Sequence, residues 1–110
     1  MKTITQALLD EIYYPISLGY VENRLIARDI NGEDIVNKET MLSDAYKGVL
    51  ADCLVSLVQA TDLTEADKSI KALSEEDKKR LLIWANRLYA EIGEQEVEIS
   101  PQPKVFIEYI

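Results

Sequence analysis

A twenty-residue apolar segment, MLSDAYKGVLADCLVSLVQA from Met41 to Ala60, limits most strongly what this chain can fold into. Its apolar residues recur in steps of three and four, which predicts an amphipathic helix with one face turned to a core. These residues are Leu42, Ala45, Tyr46, Val49, Leu50, Cys53, Leu54, Leu57 and Val58. Ser43, Asp44, Lys47 and Asp52 are predicted to point toward water. Past Cys53 the helix is apolar on more than one side, so we expect its second half to be the more deeply buried. At 1.5 Å per residue it would span about 30 Å, the diameter of a small domain.

The composition is that of one folded domain with little catalytic equipment. The 110 residues carry a formal net charge of -8 and contain no histidine and one cysteine. Without histidine, the usual zinc sites, a Ser-His-Asp triad and a Cys-His pair are excluded. The net charge disfavours nonspecific nucleic-acid binding, because no excess of Lys and Arg can displace counterions from phosphates. Cys53 lies on the apolar face of the central helix and is predicted to be a buried thiol.

Two short helices are predicted before the central one. Thr3 and Gln6 form a capping-box pattern that begins a helix over Ile4 to Ile12, and Pro15 ends it. A second helix is predicted from Tyr20 to Arg28. Its inward residues are Val21, Leu25 and Ile26, and its outward residues are Glu22, Asn23, Arg24 and Arg28. A helix this short needs docking against the central helix to be stable.

The segment Asp29 to Thr40, DINGEDIVNKET, is typical of a turn. It invites comparison with a calcium-binding EF-hand loop, but Gly32 falls at position four and Thr40 at position twelve, so the match fails. Asn31 and Gly32 predict a turn that leads to a brief extended piece at Ile35 and Val36. Asn37 or Thr40 then caps the central helix.

The last predicted helix has the clearest start in the chain. Before it, the polar stretch Thr61 to Leu73 predicts a connection with a helical turn after Thr64. Ser74 is a capping serine followed by three acidic residues, and the helix is expected to run to Ile92, with Gly93 as its left-handed end. The predicted inner face is Leu81, Trp84, Ala85, Leu88, Tyr89 and Ile92, broadened by Leu82 and Ile83. Solvated ion pairs four residues apart are expected for Glu75 with Lys79, Glu76 with Arg80, and Arg87 with Glu91.

The C-terminal residues 94–110 differ in character from the helical domain predicted over residues 1–93. Val97 and Ile99 alternate with acids, prolines follow at 101 and 103, and the end is rich in β-branched and aromatic residues. Two arrangements are open: Val97 to Ile99 pairs with Val105 to Tyr109 as a hairpin, or the end pairs with a neighbouring subunit. A lone hairpin is only marginally stable, which favours the intersubunit role. The predicted partner-contact residues are Val105, Phe106, Ile107, Tyr109 and Ile110.

These patterns together predict a mainly α fold, a bundle of about four helices with a C-terminal extended segment or hairpin. No phosphate-binding glycine pattern occurs, and acid pairs such as Asp10 with Glu11 are typical of a solvated face. We therefore expect no cofactor, no metal site and no enzyme activity. No apolar run is long enough to span a membrane and no secretory signal is present, so we expect a cytoplasmic protein.

The N-terminal sequence ITQALLDEIYYPIS followed by GYVENRLIARDI resembles a family of short proteins from phages and prophages of gut Bacteroidales. The likeness continues through ADCLVSLVQA and LSEEDKKRLLIWANRLYAEIGE and covers about 90 residues. Members of that family look like the small helical head-to-tail connector proteins that form rings between a phage portal and its tail. The resemblance implies a structural subunit that assembles as a homo-oligomer with other phage structural proteins, in the bacterial cytoplasm and then in the virion. It does not extend to the last 17 residues.

A second interpretation belongs to another class. The same small helical domain could be a monomeric or dimeric regulatory module that recognises a protein through an exposed helix face or a strand edge. Its marks would be a hairpin closed within one chain and an exposed apolar groove that binds a host protein.

Overall fold

The fold was obtained as a computed structural model that describes residues 1–63 and 74–98. In those residues the chain is mainly α, as predicted. The helices are α1 (Ile4–Ile12), α2 (Leu18–Ala27), the single turn α3 (Lys38–Met41), α4 (Asp44–Leu63) and α5 (Glu75–Glu91). The other four all contact α4, most extensively α5, so α4 is the central helix of the bundle.

The central helix starts three residues later than predicted. The Ser43 hydroxyl accepts a hydrogen bond from the Tyr46 N–H at 3.2 Å, as an N-cap serine does. Asn37 instead caps the separate turn α3, by accepting from the Thr40 N–H at 2.8 Å. Leu42, predicted to lie on the apolar face, therefore falls between the two helices and is 60% exposed. The helix also continues past Ala60 to Leu63, into the stretch predicted as a connection.

The core confirms the predicted face of the central helix. Leu50, Leu54 and Leu57 are all buried, and Cys53 is fully buried. The second half of the helix is buried more completely than the first, as expected. The core is completed by residues of α1, α2 and α5 that pack on this face: Ile4, Leu8, Ile12, Val21, Leu25, Leu81, Ala85, Leu88 and Tyr89.

Local signals set the helix ends largely as predicted. Thr3 and Gln6 form the full capping box of α1, and Ser74 accepts from the Asp77 N–H at the start of α5. Gly93 has φ 78°, so it takes the left-handed conformation expected at the end of α5. The second helix begins two residues earlier than predicted, because Ser17 accepts from the Tyr20 N–H and caps it.

The loop after α2 folds back onto the start of α1. The Ile4 N–H donates to the Asp34 carbonyl at 2.8 Å, and Val36 donates to Lys2 at 3.0 Å. Thr3 and Ile35 form one antiparallel bridge, which is the predicted brief extended piece. Gly32 is required here, because a Cβ at that position would collide with the Thr5 side chain.

Residues 94–98 are not helical and run back along α5. The Asn86 side-chain amide holds Val97 at both backbone groups, donating to its carbonyl at 2.9 Å and accepting from its N–H at 2.7 Å. Within the described part of the chain, Val97 is thus paired with a helix side chain and not with a strand. The connection from 64 to 73 and the residues from 99 to 110, including every predicted partner-contact residue, lie outside the described residues.

Candidate functional site

A cluster of charged side chains joins α2, α4 and the segment after α5, and we call it the Arg28 cluster (Arg24, Arg28, Asp52, Tyr89 and Glu94). The Arg28 guanidinium donates to both carboxylate oxygens of Asp52, at 3.0 and 3.3 Å, and to both of Glu94, at 2.8 and 3.0 Å. The Tyr89 hydroxyl donates to Asp52 at 2.5 Å. The Asp52 side chain is only 13% exposed and is the common acceptor of the cluster.

This cluster corrects the prediction that Asp52, Arg24 and Arg28 point toward water. Helical periodicity separates an apolar face from a polar one, but it does not show that three polar faces meet at one seam. Partners 24 and 66 residues apart in sequence satisfy each other there, which makes partial burial of the charges tolerable. The Nε of Arg24 is the buried side-chain atom without a hydrogen-bond partner in the described residues, although its guanidinium carbon lies 5.8 Å from the Tyr20 ring centre.

The electrostatics of the cluster stabilise its ionised pairs. Hydrogen bonds to Glu94 and Asp52 raise the pKa of Arg28, and the bond from Arg28 lowers the pKa of Glu94. Burial, with the bond to Asp52, raises the pKa of Tyr89. Tyr89 therefore stays a neutral donor, and each charged group already has an opposite charge as its partner. The arrangement is suited to holding the helices together.

Gly48 is the backbone position that makes room for this cluster. A Cβ at Gly48 would overlap the Arg28 guanidinium, so α4 carries glycine in its interior, where glycine is unfavourable by about 1 kcal/mol relative to alanine. The guanidinium lies directly against the α4 backbone at this point.

A second feature is an open groove between the end of α1 and one side of α5, which we call the aromatic groove. Its volume is about 450 Å³. The lining residues are Glu11, Ile12, Tyr13, Tyr14, Arg80, Leu81, Ile83, Trp84 and Arg87. Leu81 and Ile12 form its buried floor, whereas Ile83 is 55% exposed on its edge. The prediction that Ile83 broadens the buried face of α5 is therefore wrong, because no helix in the described residues covers that side.

Tyr13 gives the groove its least expected property. It ends α1 with φ 73°, a left-handed conformation that is unfavourable for a bulky residue. Its side chain is 88% exposed and meets Tyr14 edge-on, with ring centres 6.4 Å apart. A glycine would suit this helix end better. The Tyr13 ring is thus exposed to solvent at the rim of the groove, on a backbone in an unfavourable conformation.

Charged residues surround the groove in a definite pattern. The Glu11 carboxylate accepts a 3.0 Å hydrogen bond from the hydroxyl of the buried Tyr46. Arg80 pairs at 2.7 Å with Asp77, three residues before it, and not with the predicted Glu76, four residues before it. Arg87 is exposed, and its predicted partner Glu91 pairs instead with Lys47 at 3.1 Å. The two arginines are seven residues apart on α5, so they lie about 10 Å apart along the groove, and Arg87 is its exposed cationic position on a chain whose net charge is negative.

Other candidate chemistry finds little support in the described residues. Burial raises the pKa of the Cys53 thiol to about 12, so it is not poised as a nucleophile. Residues 1–63 and 74–98 hold no group of three His, Cys, Asp or Glu side chains placed to bind a metal ion. Over the same residues, no helix combines the length and the apolar character needed to cross a membrane.

Comparison with known proteins gave no match: no protein-family model, no curated protein and no solved structure resembles the chain closely enough to be assigned as a relative. Sequence reasoning missed the groove, although the Tyr-Tyr-Pro sequence at 13–15 and the position of Ile83 off the main apolar face were both visible.

Proposed function

We propose that this chain is a non-catalytic structural subunit that acts by protein–protein contact, and that it is a head-to-tail connector-like protein of phage or prophage origin. The aromatic groove would be its assembly surface. The connector interpretation draws on the N-terminal sequence resemblance, and the assembly interpretation draws on the groove.

The conformation of Tyr13 is the observation that carries the assembly proposal. Backbone strain of this kind persists where the surrounding structure or a function maintains it. An exposed aromatic ring at a strained helix end contributes little to the core, so its value is to a partner. Tyr, Trp and Arg are also the residue types that contribute most to binding energy at protein interfaces, and all three line this groove.

The test is self-association of the full chain, measured by sedimentation equilibrium over a wide concentration range. Ile83→Asp places a charge on the groove edge at an exposed position, so folding should be preserved and association should fall at least about ten-fold. Ile26→Asp is the matched control, because Ile26 is 74% exposed on α2 outside the groove. It should leave association unchanged.

A full chain that stays monomeric at every concentration would overturn the assembly proposal and would favour the regulatory module. The phage assignment has a separate test. We expect portal, capsid and tail genes to flank the gene, and a neighbourhood without any of them would count against the connector interpretation while leaving the self-association result intact.

A further inference from the structure

We propose that the occupant of the aromatic groove is the segment Val105–Ile110 of a second copy of this chain. The inference rests on the proposed assembly function and names the two surfaces that meet. It joins a groove in the described residues to a segment whose sequence, VFIEYI, is apolar at five of six positions.

The chemistry of groove and segment is complementary. The groove offers Ile83, Trp84 and Tyr13 above an apolar floor, and the segment offers Phe106 and Ile107. A volume of about 450 Å³ is within the range of about 300–1,000 Å³ typical of pockets for compact ligands, which is enough for a few side chains but not for a helix. A short extended segment is the occupant that fits.

The charges of the tail and the groove are complementary, because each has both acidic and basic side chains. Lys104 and Glu108 flank the apolar run of the segment, while Glu11 and Arg87 lie on the groove. A copy with a net charge of -8 generally repels another copy, so the exposed Arg87 on the groove is the natural place for an acidic position of the segment. Glu108 beside Arg87 would make one such pair.

The direction of the chain favours a neighbouring copy over the same copy. Residues 94–97 run back along α5, because Glu94 donates to the Tyr89 carbonyl and Val97 is held by Asn86. Pro101 and Pro103 favour extended backbone, and the eight residues from Val97 to Val105 would then advance about 25 Å. Only about 17 Å of α5 remains between Asn86 and its start at Glu75. If the chain continued in this way, Val105 would lie past the groove of its own copy, which favours the groove of a second copy.

Such a contact is heterologous, since the groove of one copy meets the tail of the next. Repetition of a heterologous contact makes a closed ring when the rotation closes and an open filament when it does not. A closed ring contains a fixed number of copies and a filament an unlimited number, whereas a two-fold symmetric contact stops at a dimer.

The experiment uses full-length variants that each break one side of the contact. Phe106→Asp breaks the segment and Ile83→Asp breaks the groove. Gln102→Asp is the matched control, since it adds the same charge to the tail outside Val105–Ile110. We expect Phe106→Asp and Ile83→Asp each to weaken self-association at least about ten-fold and Gln102→Asp to leave it unchanged.

Mixing the two defective variants is the decisive step. The intact groove of Phe106→Asp can accept the intact segment of Ile83→Asp, so the mixture should form a heterodimer and stop there. Trp84 is the single tryptophan of the chain and lines the groove, so its emission should shift to shorter wavelength on mixing. Circular dichroism of each variant confirms that it is folded.

Three results would overturn the inference. If Ile83→Asp abolishes association but Phe106→Asp does not, the groove is an interface with another occupant, and the assembly function stands. If both variants lose association and mixing restores nothing, the two surfaces do not meet. If the wild type is monomeric and Phe106→Asp alters its Trp84 emission, the segment fills its own groove, and the assembly function fails as well.

Discussion

The Arg28 cluster and the aromatic groove are opposite solutions at two seams of the same helix, α5. In the cluster, charged side chains are partly buried and paired with one another, and Asp52 accepts hydrogen bonds from Arg28 at the end of α2 and from Tyr89 of α5. In the groove, apolar side chains are left outward, with Tyr13 at 88% exposure. The comparison shows which surface is satisfied within one copy of the chain and which is not. The charged groups of the cluster are paired with one another, whereas the groove leaves apolar surface exposed to water.

Removing the shared acceptor of the cluster should have the largest effect. Asp52→Ala leaves Arg28 without its less exposed partner and the Tyr89 hydroxyl without an acceptor. Because breaking a buried charge pair is strongly destabilising, we expect a loss of about 3 kcal/mol in the free energy of unfolding, measured by urea denaturation. Glu22→Ala, at an exposed position on α2, is the control and should change it by less than about 0.5 kcal/mol. Equal effects of the two changes would show that the cluster does not hold the bundle.

Two glycine substitutions should act in opposite directions. Gly48→Ala improves helix propensity, but its Cβ displaces the Arg28 guanidinium, so we expect a net loss of about 1.5 kcal/mol. Gly19→Ala meets only the Ser17 hydroxyl, at an ordinary 3.7 Å, and should gain about 0.5 kcal/mol. Thermal denaturation of both variants measures the two signs together. A stabilising Gly48→Ala would mean that Arg28 relocates without loss.

A substitution at the groove should separate stability from assembly. Tyr13→Gly relieves the left-handed strain at the end of α1, so we expect a gain of about 1 kcal/mol in the free energy of unfolding. The same change removes the exposed ring, so self-association should weaken. Urea denaturation and sedimentation equilibrium on one sample would show whether stability rises while self-association weakens. A variant that is less stable than the wild type would show that Tyr13 serves the fold and not a partner.

The smallest expected effect is a pH dependence of the cluster. The bond from Arg28 lowers the pKa of Glu94, so this pair stabilises the fold fully above the ordinary value of 4.5, and its contribution is lost as pH falls through the lower folded value. Glu94 is 44% exposed, so the contribution should be below about 1 kcal/mol. The difference in unfolding free energy between wild type and Glu94→Gln should be constant near neutral pH and shrink in acid. A difference that grows in acid would contradict the pairing.

The parts of the fold that the sequence predicted are those with local causes. Thr3, Ser74 and Gly93 act on groups within four residues of themselves, so their roles were readable from neighbours in the chain. The face of α4 was equally readable, because periodicity reports which side is apolar. Ser43 was also a local signal, yet the unbroken apolar pattern from Met41 concealed the boundary that it sets.

The parts that the sequence did not predict depend on which helix lies next to which. Ile26 was expected inside and is 74% exposed, because α2 packs on one side only. Arg28 was expected outside, and its acceptors come from residues 24 and 66 positions away. The aromatic groove is likewise a property of two helix surfaces together. No pattern within α1 or α5 alone defines it.

The hydrogen bonds between Asn86 and Val97 fix the place where the C-terminal segment leaves α5. Two hydrogen bonds from one side chain hold the backbone where it leaves the helical body, so whatever follows begins at a set place and heading relative to α5. If copies of the chain join tail to groove as proposed, this heading would limit the angle between one copy and the next. A single asparagine would then restrict the curvature of such an assembly, and with it the number of copies that can close a circle.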